Sequence, residues 1–279
     1  FAQAVLDAGL IWIGPTPDSI RAMALKVEAK NLADKAGVPM LTSGTDVFPV
    51  LVKASAGGGG KGMRRVDRPE DLEEAVAAAK REAASAFGDD TVFIERCLES
   101  ARHVEVQVFG DTHGNVVHLF ERECSIQRRH QKVVEESPSP GVTPALRDQM
   151  TAAAVSLAAE IGYVGAGTVE FMVAGDEFFF LEMNTRLQVE HPVTEAITGR
   201  DLVEWQIRVA QGEALPATQE QISASGHAIE VRLYAEDPAN GYLPNTGTLR
   251  IFDVEPAEGV RVDTGFVAGD VVTANYDPM

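Results

Sequence analysis

The chain has 279 residues, 45% of them hydrophobic and 24% charged, with a formal net charge of −18 at pH 7. That length supports about two domains with buried cores, and a general acidic excess argues against nucleic acid as a partner, because it repels a phosphate backbone. No apolar run reaches membrane-spanning length, no signal peptide is visible, and Cys97 and Cys124 fall in no metal or redox spacing, so the expectation is a cytoplasmic protein with reduced thiols and no membrane partner.

The chain starts inside an apparent amphipathic helix and stops after Tyr276-Asp277-Pro278, so it reads as a fragment. Residues 1 to 9 suit a helix closed by Gly9, and Leu10 to Ile13 a short buried strand. Thr16 caps a helix with Pro17 in its first turn, placing Ile20, Met23 and Val27 at helical spacing; Lys26 reads locally as an exposed lysine on it. Phe48 to Ala54 is a strand with Lys53 as its lone charge, running into Ser55-Ala-Gly-Gly-Gly-Gly-Lys-Gly62. This run is no dinucleotide fingerprint, because Met63 to Val66 reads as a strand where a helix is needed. Nor is it a Walker loop, because Gly62 stands where Ser or Thr should ligate the metal. A glycine turn between two strands suits a flap whose N–H groups close over phosphates; a flexible linker is the alternative.

Asp67 with Glu70 gives a capping-box signal for an Ala-rich helix from Pro69 to Ala84. Thr91 to Glu95 is a strand, Arg96 to Glu99 crosses at a hinge, and His103 to Phe109 alternates strictly, followed by a strand over His118 to Arg122. Arg128 to Lys132 then crowds three fixed positive charges and a histidine together. It suits a small anion such as phosphate, carboxylate or bicarbonate, or else forms a surface loop paired with Glu135 and Glu136. Thr143-Pro144 opens a helix through Ile161, with Met150, Ala154, Leu157 and Ile161 on its apolar face and Gly162 as its stop.

The central stretch is Thr168 to Glu195. Thr168 to Val173 and Phe178 to Leu181 read as a β-hairpin. With a three-residue loop (Gly175, Asp176, Glu177), Ala174 pairs with Phe178, and counting back sets Glu170 opposite Glu182 and Thr168 opposite Asn184. Facing carboxylates destabilise a sheet unless a proton or cation intervenes, and oxygen donors alone suit hard Mg2+. If the chain stays extended, Glu182, Asn184, Arg186, Gln188 and Glu190 all turn to one side; a solvated sheet face is the bland alternative. Beyond His191-Pro192, Asp201 to Gln211 is a helix with Leu202, Trp205 and Val209 on one face. His227 to Tyr234 reads as a strand with Ile229, Val231 and Leu233 inward and Arg232 on the other side. Thr248 to Val254 and Val260 to Asp263 read as further short strands.

The strings KASAGGGGKGM (53 to 63), ERECSIQRRHQKVVEE (121 to 136), AGTVEF (166 to 171), FLEMNTRLQVEHPVTE (180 to 195) and RLYAEDP (232 to 238) together resemble the biotin carboxylase component of biotin-dependent carboxylases, most nearly acyl-CoA carboxylase α subunits. The resemblance implies an α+β, ATP-grasp fold: an antiparallel-sheet core domain with a glycine-rich lid domain, lacking most of the N-terminal α/β domain. It divides the chain into a remnant of the N-terminal domain and linker helix (1–40), the lid (41–99), and the core with a truncated C-terminal domain (100–279). It implies a nucleotide site of Lys26, Lys53, the flap glycines Gly58 and Gly59, His103, Gln127 and His130, with Glu95 and Leu98 at the hinge that meets adenine. Metal ligands would be Glu170, Glu182 and Asn184, for Mg2+ or Mn2+. Lys132, Arg186, Gln188 and Val189 would hold bicarbonate, Glu190 would deprotonate it, and Arg232 would stabilise the biotin enolate. The implied reaction is attack of bicarbonate on the ATP γ-phosphate, giving carboxyphosphate, followed by carboxylation of biotin. The implied partners are a biotin carboxyl carrier domain and a carboxyltransferase subunit, within a homo-oligomeric complex. The chain departs from the family in having Leu25 where Asp is usual, and a shortened segment between Pro39 and Phe48. It also has no Ala-Met-Lys-Met acceptor, so the carrier lies elsewhere. Another ATP-grasp carboxylate ligase, or a non-catalytic nucleotide-binding assembly subunit, are the rival functions.

Overall fold

A computed structural model describes residues 1–41, 47–55, 63–128, 131–255 and 257–273. Contacts divide the chain into two units, Phe1–Glu230 and Val231–Met279. Helices α1 (Ala2–Asp7), α2 (Pro17–Ala24) and α3 (Lys26–Lys35) come first. The Thr16 side chain caps α2 by accepting from the Ser19 N–H, as its sequence foretells. The expected continuous helix breaks at Leu25, whose φ of −100° and ψ of 120° are extended, so Lys26 starts a new helix and Val27 is exposed. Leu10 to Ile13 is not a strand: no strand among the described residues supplies a ladder for its backbone, and Leu10, Ile11 and Ile13 are exposed.

Strands β1 (Val50–Ala54), β2 (Arg64–Val66) and β3 (Val92–Arg96) form an antiparallel sheet in the order β2-β1-β3, covered by α4 (Leu72–Phe87). Val50, Val52, Val66 and Ala79 make its core. The capping box at Asp67 does not form. A 3₁₀ turn, Pro69–Asp71, precedes α4, and Asp67 instead accepts from Arg65 Nε. Gly88, at φ 72°, closes the helix in the left-handed conformation that a side chain resists.

The main sheet contains β4 (Arg102–Gly110), β5 (Val116–Arg128), β6 (Gln131–Ser137), β7 (Gly165–Ala174), β8 (Glu177–Asn184) and β9 (Ala228–Val231), in the order β8-β7-β4-β5-β6-β9. On one face α5 (Pro144–Glu160) and α3 pack against Val104, Val106 and Val108 of β4 and Val169, Phe171 and Val173 of β7. On the other face α6 (His191–Thr198) and α7 (Leu202–Ala210) follow, with Trp205 edge-on to Phe109 at 5.5 Å. Both faces of β4 are therefore covered, and the residues that alternate with its valines are buried polar groups rather than a wetted surface. Gly167 is obligatory for close approach: a Cβ there would lie 2.5 Å from the Tyr163 ring.

The hairpin differs from its reading in two respects that cancel. Its loop has two residues, so Ala174 pairs with Glu177 rather than Phe178, and a bulge leaves Leu181 unpaired between Phe180 (opposite Phe171) and Glu182 (opposite Glu170). The bulge reverses the phase of β8. Phe178 and Phe180 enter the core, as does Met183, while Glu182 and Asn184 turn to the opposite face, with Asn184 opposite Thr168 as expected. The even-numbered series also does not stay extended, because β8 ends at Asn184 and the chain turns into α6.

In the second unit, β10 (Glu236–Asp237) pairs with β11 (Leu243–Pro244), and β12 (Gly247–Thr248) with β13 (Val271–Val272). The strand expected over His227 to Tyr234 shrinks to β9, and Ile229, Val231 and Leu233 are exposed rather than inward. Thr248 to Val254 keeps only its first residue in a strand, and Val260 to Asp263 is irregular.

Candidate active site

Register builds the site as a row across four strands. Glu182 on β8 stands opposite Glu170 on β7, Glu170 opposite Glu105 on β4, and Glu105 opposite Arg122 on β5. A second row of Asn184, Thr168 and Gln107 runs alongside it. Glu105 and Arg122 have no exposed surface, and Glu170 is 3% exposed. Carboxylates so enclosed need counter-charges.

Lys132, on β6, supplies one. Its Nζ donates to Glu105 at 2.5 Å, Glu190 at 2.6 Å and Glu170 at 3.0 Å. Burial would push the Lys132 pKa down, but the carboxylates, Glu105 first, hold it well up, so the ammonium stays charged. Burial likewise raises the Glu170 pKa, and the His103 and Lys132 contacts reverse this, bringing it down to about 2. His103 Nε2 lies 2.7 Å from Glu170 Oε2, and Gln127 Nε2 lies 2.9 Å from His103 Nδ1. Despite its burial the His103 pKa is raised, chiefly by Glu170. Glu182 behaves oppositely, its pKa raised by burial and then by the facing Glu170. The pair thus splits as facing carboxylates should.

The first turn of α6 sets the last carboxylate. Pro192 fixes the helix start, Glu190 occupies the N-cap position, and its side chain, 2% exposed, returns to Lys132. Gln188 is buried beside it and donates to Glu170 at 3.1 Å, and Asn184 donates to the same oxygen at 2.7 Å.

At the small sheet, Lys53 on β1 pairs with Glu95 on β3 at 2.7 Å. Burial, and then the neighbouring Lys30 and Lys26 charges, lower the Lys53 pKa to about 8, with the Glu182 charge acting against them. Leu98 follows β3, half-buried, and Lys26 is half-buried at the first position of α3.

The structure brings together Glu105, Glu170, Glu190, Lys132, His103, Gln127, Gln188, Asn184 and Glu182. Arg186 stands apart, exposed, and among the described residues it donates to the Leu187 carbonyl and, at 3.5 Å, to Asn184 Oδ1. Val189 is 60% exposed. Arg232 belongs to the second unit, and Gly58, Gly59 and His130 lie outside the described residues. Sequence reasoning missed Glu105, Arg122 and Lys30, the last sharing Glu95 with Lys53 and standing 4.5 Å over the Phe93 ring. The one available signal was Glu105 and Gln107 alternating with Val104, Val106 and Val108.

Donor atoms of His103, Glu105 and Glu170, and separately of Glu105, Cys124 and Glu190, come within 4.8 Å of one another. An ammonium already occupies the space between Glu105, Glu170 and Glu190, so a cation there would displace Lys132. Glu182, directly opposite Glu170 and with its pKa raised by burial and then by that neighbour, leaves a second carboxylate facing Glu170 that a hard divalent ion could bridge, while Asn184 turns its amide nitrogen to Glu170 Oε1 here and would offer oxygen only with the amide reversed.

Residues 25–218 match the family described as carbamoyl-phosphate synthase L chain, ATP binding domain, and residues 230–279 match the biotin carboxylase C-terminal domain. Methylcrotonoyl-CoA carboxylase subunit alpha, mitochondrial, of Oryza sativa subsp. japonica is 52% identical over 297 residues, taking in 100% of this chain and 40% of that protein. Biotin carboxylase of Halalkalibacterium halodurans is 50% identical over 296 residues, with 100% and 65% covered. A Campylobacter jejuni biotin carboxylase solved as a β-γ-ATP complex superposes with a TM-score of 0.95 at 41% identity, covering 100% of this chain and 66% of that one. The biotin carboxylase domain of Hydrogenobacter thermophilus 2-oxoglutarate carboxylase, solved with MgADP, ADP and bicarbonate, gives 0.94 at 43% identity over 99% and 65%. The chain spans about 40% of the length of its methylcrotonoyl-CoA carboxylase relatives. No described helix is long and apolar enough to cross a membrane.

Proposed function

The chain belongs to the biotin carboxylase family, with its ATP-grasp fold, and from that premise we propose that it catalyses the ATP- and bicarbonate-dependent carboxylation of biotin on a carrier domain, as the first half-reaction of an acyl-CoA carboxylase. The observation that carries this reading is the single ammonium, Lys132, held among Glu105, Glu170 and Glu190 with Gln188 alongside. An anion entering there meets a fixed cation, an amide donor and a carboxylate able to take its proton in one enclosed space.

In this proposal Lys132 and Gln188 hold bicarbonate, with Arg186 and Val189 swinging in from the exposed turn, and Glu190 accepts the proton. Lys132 holds the Glu190 carboxyl in place beside it. Lys26, Lys53, His103, Gln127 and His130 position the nucleotide, with Gly58 and Gly59 closing over its phosphates and Glu95 and Leu98 meeting adenine. Glu170, Glu182 and Asn184 would hold Mg2+ or Mn2+, which when bound offsets phosphate charge. Arg232 would steady the biotin enolate. Holding the reactants in line and excluding water account for the chemistry asked of these residues, since carboxyphosphate is readily hydrolysed. The carrier domain, a carboxyltransferase subunit and a homo-oligomeric assembly are the proposed partners. A cytoplasmic location belongs to the same proposal; the names of the methylcrotonoyl-CoA carboxylase relatives specify mitochondria.

The test is bicarbonate-dependent ATP hydrolysis by the full-length polypeptide with Mg2+, with and without free biotin, beside Glu190→Gln. Biotin stimulation that disappears in the variant supports the reading. Turnover indifferent to biotin and to the substitution would point instead to another ATP-grasp ligase.

A further inference from the structure

Arg122 is the largest fully buried side chain in the protein as described, and its guanidinium makes five hydrogen bonds. Nε donates to Glu105 Oε1 at 2.7 Å; Nη1 donates to Gln107 Oε1 at 2.6 Å and Thr194 Oγ1 at 3.0 Å; Nη2 donates to Gln188 Oε1 at 3.1 Å and Thr168 Oγ1 at 3.2 Å. Four of the five partners belong to the proposed site or adjoin a group that does. Glu105 holds Lys132 with its other oxygen, Thr168 lies two residues before Glu170, and Thr194 lies four after Glu190 on α6.

Gln188 is the informative partner. A guanidinium has donors only, so the amide oxygen must face it and the N–H2 end must face away. That end donates to Glu170 Oε1, the oxygen that also accepts from Lys132. A reversed amide would set N–H against N–H at Arg122 and turn an oxygen toward the incoming anion. Glu105 is divided in the same manner. Arg122 takes Oε1 and Lys132 takes Oε2, so neither cation holds the whole carboxyl.

We propose that Arg122 is a positioning residue for the anion subsite, acting through Gln188: by holding the amide oxygen it fixes the amide with its donors toward bicarbonate. This rests on the carboxylase reading of the same site.

Steady-state kinetics on the full-length polypeptide with Mg2+ and biotin test it, using Arg122→Lys, Gln188→Ala and the double variant. Arg122→Lys is expected to raise the bicarbonate KM about 10–100-fold, with the ATP KM within about twofold of wild type. It should add little further in the Gln188→Ala background. Equal rises in both KM values, or additive effects in the double variant, would overturn the proposal and leave Arg122 a packing residue. A wild type without bicarbonate-dependent turnover would instead sink the carboxylase reading itself. Should Arg122→Lys fail to fold, a crystal structure of the wild type with MgADP and bicarbonate decides. The proposal requires Gln188 still bonded to Arg122 and its far end on the anion, and a Gln188 swung off Arg122 overturns it.

Discussion

Replacing Lys132 by Met keeps the stem and removes the ammonium that lies within 3.0 Å of three carboxylates. Glu105 keeps Arg122 and Glu170 keeps His103, so the cluster is left with a guanidinium and a histidine against three acids. Deleting one partner of a buried ion pair costs about 3–5 kcal/mol. Proton uptake can limit that cost, which gives the effect a pH signature. In the wild type the Glu170 pKa is about 2, against an ordinary 4.5. A depressed folded-state pKa contributes stability that is present above the unfolded value and lost as pH falls toward the folded one. In the variant, crowding lifts the cluster's folded-state pKa above the unfolded value, so stability is retained at low pH and lost as pH rises. The gap between the two proteins should be about 3–5 kcal/mol near pH 8, should narrow as pH falls to about 4.5 because the variant takes up protons, and should close only as pH falls from there toward about 2, where the wild type loses its own Glu170 contribution. Urea unfolding of the full-length polypeptide across that range measures it. A gap of the same size at every pH would refute the idea that Lys132 stabilises the fold by neutralising these acids.

Met150, fully buried beneath the sheet on α5, should cost about 2–5 kcal/mol on truncation to Ala, read as a lowered Tm. Gly167→Ala should destabilise by about 1–3 kcal/mol, and much of that loss should vanish in a Tyr163→Ala background, because the ring of Tyr163 is what the new methyl strikes. Deleting Leu181 should leave Mg2+-dependent nucleotide binding within about tenfold, since a regular strand then carries Glu182 and Asn184 on the same face, whereas deleting Met183 turns Asn184 toward the core and should cost more. Equilibrium titration of a fluorescent ATP analogue compares the two deletions, and equal losses would contradict the register.

That bulge also explains what the sequence could and could not reveal. Phe178 to Leu181 is apolar throughout, so period-two counting has no way to see an extra residue there, and the facing of Glu170 and Glu182 came out right only because the turn was misjudged by the same one residue. The helices α5 and α7 were legible because a capping residue, Thr143 or Asp201, and an apolar stripe point to the same boundaries. Glu105 and Arg122 were not, since strict alternation in β4 looks the same whether its polar side meets water or a second buried layer. The isolated apolar run Leu10 to Ile13 failed for a related reason: hydrophobicity announces a wish for burial but does not supply a neighbouring strand.

The row of charges across the sheet has an order in time as well as in space. Arg122 reaches Glu105 through the short connection 111–115, whereas Glu170 arrives beside Glu105 only after the whole of β6 and α5 has been threaded. Local contacts close at lower entropic cost than distant ones. The Arg122–Glu105 pair is thus the contact of this row with the lowest closure cost. Arg122→Met should therefore slow the folding limb in stopped-flow refolding more than it hastens unfolding, the opposite partition from a residue that joins late.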